Sequence, residues 1–272
     1  MAQPGPPALH TLAVLMYHSV SSIREGPMRT FAVPPELLRE QLAALSGAGY
    51  RLVGLSEALD LLDGGYTDPL VALTFDDGYV DFLDHAVGVL AEAGAGATLY
   101  MSVGHMGGPA DWLGTQAGAL GPIMTWPQVA EVAAAGIEIG NHSLIHHPLD
   151  VLPPAQLDRE IRDSHDRLAD AVAAPIRSFA YPHGYNSAAV RAVVAKYGHT
   201  NACEVGRRLY RNGADRFAVS RFQPTPDHFG DDLLRLVRGD GPRLVPGLKR
   251  VAQPGWRVTR RVALRVFRTK LT

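Results

Sequence analysis

The sequence predicts an α/β domain in which short parallel strands alternate with helical crossovers, so either a barrel or a doubly wound sheet. Two observations carry this. About eight apolar runs of strand length recur along the chain, most of them separated by a stretch with helical periodicity. No linker-like or repetitive segment interrupts the alternation, which favours one domain over two for a chain of 272 residues.

The first apolar run, 12–16, ends in Tyr17-His18-Ser19. After a polar loop, Pro34-Pro35 opens a helix through Leu37, Leu38, Leu42 and Leu45 that Gly47 and Gly49 stop. A short strand is expected at 51–53, and Ser56 is expected to cap a helix over 57–62. The run Leu70, Val71, Ala72, Leu73 reads as a buried strand that feeds Thr74-Phe75-Asp76-Asp77-Gly78-Tyr79. Helical spacing resumes from Val80 through Phe82, Ala86, Val87 and Leu90. A strand at 97–103 follows, and then a Gly-rich stretch, 104–122, without periodicity and containing Trp112. Such loops are often lids.

Thr125-Trp126-Pro127-Gln128 has capping-box spacing and opens a helix ending at Gly136. A strand at 137–140 delivers Asn141-His142, and 153–173 is amphipathic. The strand at 177–181 runs into Pro182-His183-Gly184-Tyr185-Asn186. A helix over 187–197, strands at 199–203 and 217–222 and a helix over 231–237 complete the alternation.

Composition narrows the function. Apolar residues make up 46% and charged residues 19%, enough for a large core and unlike a disordered chain. A formal net charge of −1 gives no reason to expect nucleic acid as a partner. Cys203 is the single cysteine, so an intrachain disulfide and a multi-Cys zinc site are ruled out. Any metal must be held by carboxylates and some of the eleven histidines.

The ends read differently. Residues 1–10 form a Pro-rich arm without a basic leader region, and no run reaches the ~18 apolar residues of a membrane span. A cytoplasmic chain is therefore expected. Residues 11–240 hold the α/β pattern, and 241–272 hold nine basic residues and no acidic one, with Val258, Val262, Leu264, Val266 and Phe267 interleaved. That tail reads either as a basic amphipathic helix on anionic lipid or glycan, at the inner membrane face, or as a solvated helix packed on the domain.

Three polar clusters fall at the C-terminal ends of predicted strands, the edge where α/β barrels keep their active sites. They are Asp76-Asp77, then His142-Ser143-Leu144-Ile145-His146-His147, and then Tyr181-Pro182-His183-Gly184. Adjacent carboxylates at such an edge are costly unless a cation or specific donors offset them. Taken alone, Asp-Asp-Gly after a strand also reads as a turn or cap, and a His pair as surface residues. His142 and His146 are four apart, so one helical turn would project both imidazoles from one face. Two imidazoles and one carboxylate form a common facial set for zinc, with positions left for water and substrate. The second carboxylate would then act as base on that water. The coincidence of the clusters favours the metal over the cap.

Thr74-Phe75-Asp76-Asp77-Gly78 followed by the His-Ser-x-x-His of 142–146 resembles the polysaccharide deacetylase family of carbohydrate esterases, the group of the nodulation-factor, peptidoglycan and chitin deacetylases. Leu15-Met16-Tyr17-His18, Ala97-Thr98-Leu99-Tyr100, Thr125-Trp126 and Phe179-Ala180-Tyr181-Pro182-His183-Gly184 extend the resemblance over about 11–225. It implies a distorted (β/α) barrel, usually seven-stranded, a divalent metal such as zinc, and removal of N-acetyl groups from an amino sugar of a glycan. It further implies Asp76 as catalytic base and Asp77, His142 and His146 as metal ligands, with a backbone N–H near His183 receiving the oxyanion.

The third motif departs from the commoner Arg-Pro-Pro-Tyr-Gly pattern and is closest to the branch of biofilm poly-N-acetylglucosamine deacetylases. The Arg that restrains the base elsewhere is missing there, and Arg221 at the end of the last strand is expected to replace it. The late Leu-x-x-His that supplies the acid elsewhere is also absent. His228 is the nearest candidate by order, with His183 and His18 as rivals. His18, Tyr181 and Trp112 are expected to touch substrate. Two other readings stand beside this one: a deformylase or deacetylase of a lipid-linked aminosugar, and a catalytically impaired glycan-binding barrel. The intact Asp76 argues against the last.

Overall fold

The computed structural model describes residues 11–23 and 25–240; the arm at 1–10 and the basic tail at 241–272, with the expectations placed on them, lie outside the described residues. In chain order the elements are β1 (Thr11–Tyr17), α1 (Pro35–Gly47), β2 (Arg51–Val53), α2 (Leu55–Asp63), β3 (Leu70–Phe75), α3 (Val87–Glu92), β4 (Thr98–Met101) and α4 (Trp126–Ala134). They continue with β5 (Glu138–Asn141), α5 (Pro154–Ala171), β6 (Ser178–Ala180), α6 (Ala188–Lys196), β7 (Asn201–Val205), β8 (Tyr210–Arg211), β9 (Val219–Arg221) and α7 (Gly230–Val237).

Seven strands run parallel in the order β1-β3-β4-β5-β6-β7-β9. The ring closes just past β9, where the Met16 N–H donates to the Phe222 carbonyl at 2.7 Å and the Phe222 N–H to the Val14 carbonyl at 2.8 Å. The barrel expected from the resemblance is present, with two short strands added to its seven. β2 pairs with the first half of β3, and β8 runs antiparallel to the start of β1. β8 has no signal in the sequence; two residues are too few for a period.

Strand alternation sorts the core. Val14, Ala72, Tyr100, Ala180, Cys203 and Val219, from six strands, meet in the lumen. Ala13, Leu15 and Tyr17 face the other way, into a larger layer with Leu38, Leu42, Val129 and Leu233 from the helices. The lumen is tight. At Gly140 a Cβ would stand 2.4 Å from the Tyr100 ring, so only glycine lets that ring cross to Ser178, whose hydroxyl it meets at 2.6 Å.

Two local expectations need correction. Ser56 does not cap α2; the helix starts at Leu55, and its first N–H groups go to Thr98 Oγ1 at 2.8 Å and Glu138 Oε2 at 3.3 Å. The caps come from strands across the barrel floor, which leaves Ser56 Oγ to accept from Asn201 Nδ2 at 2.9 Å. After Val80 the chain first makes a wider π turn, Phe82–Ala86, and only then α3. Among the described residues no helix is long and apolar enough to cross a membrane.

Candidate metal centre and active site

The same alternation that fills the lumen delivers the polar groups at its C-terminal mouth. Two residues beyond each lumen position stand His18 after Met16, Asp76 after Thr74, His142 after Gly140 and Arg221 after Val219. Parallel strands make all four converge.

Asp76 and Asp77 part at the end of β3. The Asp76 N–H is still held by the Tyr17 carbonyl at 2.9 Å, whereas Asp77 turns left-handed with φ 74° and Gly78 follows with φ 84°. A Cβ on Gly78 would lie 2.3 Å from Met101 Cε, so this reversal depends on glycine. The two carboxylates thereby face different partners.

Asp76 meets Arg221. Nη1 donates to Oδ1 at 2.6 Å and Nη2 to Oδ2 at 2.7 Å, a bidentate pair with the arginine fully buried. Nη1 also donates to Thr74 Oγ1 at 3.1 Å, and Thr74 in turn donates to the Leu15 carbonyl at 2.7 Å. Burial pushes the Asp76 carboxyl up, but the Arg221 guanidinium, with His142, outweighs it and holds the group below the usual carboxylate range.

Asp77 meets the histidines. Its Oδ1 lies 3.5 Å from His142 Nε2 and 3.4 Å from His146 Nε2. Burial raises the Asp77 carboxyl, and His146, His18 and His142 together bring it well below its ordinary value. His142 Nδ1 lies 2.7 Å from the Ala180 carbonyl, which makes Nδ1 the N–H donor and leaves Nε2 with its lone pair toward Asp77. Burial lowers His142 to about 4, so its imidazole is neutral at pH 7.

These groups fit a divalent cation. One atom each from Asp77, His142 and His146 lie within 4.8 Å of one another, and all three residues are buried. Ligands about 2.0–2.2 Å from one tetrahedral ion stand roughly 3.4 Å apart, close to the two separations found here. Asp77 Oδ1, pointing at both imidazoles, has no hydrogen-bond partner among the described residues. A buried carboxylate oxygen left so is the acceptor a cation would satisfy.

The expected helical turn from His142 to His146 is not formed. Ser143 and His146 are left-handed, with φ 68° and 55°, and the loop between them is held by side chains rather than by helical bonds. Asn141, Glu160 and Ser143 supply those bonds, and no role was expected of Asn141 or Glu160. The signal for Glu160 was present: it is the one acid in the buried stripe Leu157, Glu160, Ile161, Ser164, Leu168 of α5.

The other sequence candidates divide. Trp112, from the Gly-rich stretch, stacks on the His146 ring at 4.5 Å, and His183 meets the same ring edge-on at 4.7 Å. His183 is left-handed, φ 57°. His18 feels Asp77, Asp76, Arg221 and His146, and burial, the strongest influence, lowers it. Two candidates have partners of their own. Tyr181 is fully buried in the layer under α5 and α6, its hydroxyl donating to the Phe217 carbonyl at 3.0 Å, which leaves no ring surface for a substrate. His228 is engaged by Thr225, whose N–H reaches its Nδ1 at 2.9 Å, and its carbonyl accepts from Gln41.

The profile of a family described as polysaccharide deacetylase matches residues 63–202. YxkH of Bacillus subtilis (strain 168), provisionally named a polysaccharide deacetylase, is 30% identical over 187 residues, which is 66% of this chain and 60% of that protein. The chain thus spans less than two thirds of that relative's length. Among solved structures, the Streptococcus pyogenes deacetylase PplD in complex with acetate superposes with a TM-score of 0.70 at 23% identity, covering 84% of this chain and 98% of that one. IcaB from Ammonifex degensii gives a TM-score of 0.72 at 24% identity, with 84% and 97% covered. At these identities both likenesses concern the fold.

Proposed function

The chain belongs to the polysaccharide deacetylase family, and from that premise we propose that it is a metal-dependent hydrolase removing N-acetyl groups from an amino sugar of a polysaccharide or glycan precursor. One observation carries the reading: a carboxylate locked by a buried arginine, Asp76 on Arg221, stands next in sequence to a carboxylate aimed at two imidazoles.

Asp77, His142 and His146 would hold the cation. A divalent ion such as zinc supplies Lewis acidity there, polarising an acyl oxygen and making a water more acidic. Asp76 takes the proton of the attacking water. Arg221 keeps it ionised for that task and fixes the plane of its carboxylate. The backbone around His183, in its left-handed turn, is assigned to the developing oxyanion.

Amine release needs a proton on the departing nitrogen. We assign the transfer to His18, in electrostatic reach of Asp76 and with a buried Nδ1 that has no partner among the described residues. Because burial holds His18 below its ordinary value, it starts neutral and relays the proton that Asp76 removes. One water is consumed, the amide C–N bond breaks, and acetate and a free amine leave. Trp112 is assigned to the sugar, since its ring already lies flat against His146.

Metal analysis of the purified protein, with acid release measured across N-acetylated and N-formylated sugars, polymers and lipid-linked precursors, tests the proposal. Acetate release by metal-loaded protein supports it. Formate alone would turn it into a deformylase, and no release from any amino sugar would leave a glycan binder.

A further inference from the structure

The loop carrying the two histidines has four consecutive backbone N–H groups, and each is taken by a side-chain oxygen. Ser143 donates to Asn141 Oδ1 at 2.9 Å, Leu144 and Ile145 both donate to Glu160 Oε2 at 3.2 and 3.1 Å, and His146 donates to Ser143 Oγ at 3.2 Å. On the other side, the carbonyls of Ser143 and Leu144 accept from Val103 and Gly104 at 3.1 and 2.6 Å. Gly104 sits so close that a Cβ would stand 2.5 Å from the Leu144 carbonyl oxygen.

The loop is thus clamped between 103–104 and one oxygen of a glutamate that is 3% exposed. Left-handed conformations at two non-glycine residues, Ser143 and His146, persist only where the surroundings over-determine them. Whereas 103–104 belong to a short 3-10 turn, Glu160 is the member of this clamp that reaches in from an α-helix, α5. It takes the two N–H groups midway between the imidazoles, where a relaxing loop would first change their spacing.

We propose that Glu160 is a positioning residue for the metal centre, setting the spacing of His142 and His146 toward a divalent cation without touching it. The inference rests on the reading of Asp77, His142 and His146 as metal ligands. Both N–H groups converge on one oxygen. Glutamine can place its amide oxygen there; alanine cannot.

Zinc affinity, measured by competition with a chromophoric chelator, is the test, with hydrogen exchange of the 143–146 amides read on the metal-free protein. Glu160→Ala is expected to weaken zinc binding about 10–100-fold and to speed that exchange, while Glu160→Gln stays within about fivefold of the parent. If Glu160→Ala does not fold, Glu160→Asp takes its place with the same expectation, since it draws the oxygen back by one methylene.

Ser164→Ala supplies the control. It removes a hydroxyl that caps the Glu160 and Ile161 carbonyls within α5, and should lower the melting temperature without moving zinc affinity. Unchanged zinc affinity in the alanine (or aspartate) variant, an equal loss in the glutamine variant, or an equal loss in Ser164→Ala would overturn the proposal. A parent protein that binds no divalent ion would instead overturn the metal reading, which separates the two failures.

Discussion

Arg221 and Asp76 are 145 positions apart in the chain, yet they join by two parallel hydrogen bonds of 2.6 and 2.7 Å with the guanidinium wholly shut off from water. A buried arginine is tolerable only when its charge and donors are matched. Asp76 matches the charge and takes one hydrogen bond from each Nη, Thr74 shares Nη1, and Nε has no partner among the described residues. The fork shape matters, because an ammonium group cannot grip both carboxylate oxygens in one plane.

Replacing the fork should therefore slow the reaction and move its pH dependence. Arg221→Lys is expected to lower kcat about 10²-fold. Arg221 now opposes the effect of burial on Asp76, so weakening it lets the carboxyl titrate higher. The acidic limb of kcat/KM against pH should move to higher pH. An unshifted limb would show that Arg221 does not govern the base.

The two carboxylates should fail in different ways. Asp76→Asn is expected to abolish acetate release while zinc stays bound, because Asp76 lies outside the ligand set. Asp77→Asn should weaken zinc binding and lose activity with it. Metal content and acetate release measured on the same preparations separate the roles; equal zinc loss in both variants would contradict the division.

Trp112 and Tyr181 give an opposed pair. Trp112→Ala removes the ring stacked on His146 and is expected to raise KM with the fold intact. Tyr181→Phe deletes one buried hydrogen bond and should cost about 0.5–1.5 kcal/mol in a denaturant titration, with KM unchanged. A KM effect from Tyr181→Phe would mean that its buried ring reaches the substrate after all.

Acid should destabilise the fold through His199. Burial, reinforced by neighbouring His165, pushes its imidazole down to about 3, against about 6.5 in an unfolded chain. The unfolded state thus binds a proton that the folded state refuses. The stabilisation is complete above about pH 6.5 and is lost as pH falls toward 3, by up to about 1.4 kcal/mol per pH unit. Urea midpoints at pH 7 and pH 5 should differ less in His199→Asn than in the parent. His142 titrates in the same direction, so the difference in slope is the informative quantity.

What could be read from the sequence was local. Asp76-Asp77 and the His pair stand out because each follows an apolar strand within a few residues, and the barrel because strands and helices alternate. What could not be read depends on contacts across the barrel. Ser56 looked like a cap because the real caps, Thr98 and Glu138, lie 43 and 82 positions away from the N–H groups they receive. The spacing of His142 and His146 suggested a helical turn, since nothing nearby announces that Glu160 will take the amides a helix would use. Tyr181 sits in a motif with His183, but period-2 alternation puts it on the face of Phe179, opposite lumen-facing Ala180 and into the layer under the helices, whereas His183 lies past the strand in a left-handed turn. Arg221 could be proposed only by position, as the cation at the end of the last strand.

The seam between β1 and β9 has a further consequence for how the molecule matures. Every residue of the proposed ligand set lies at or before His146, so a nascent chain has all of them long before it reaches Arg221. The arginine comes to rest on Asp76 only when Phe222 pairs with β1 and joins the first strand to the last. A pairing between residues so far apart in the chain carries a high loop-closure cost. On the proposed function, a partly folded chain would gather the side chains assigned to the metal while Asp76 is still unrestrained, and hydrolysis would wait for the same event that completes the barrel.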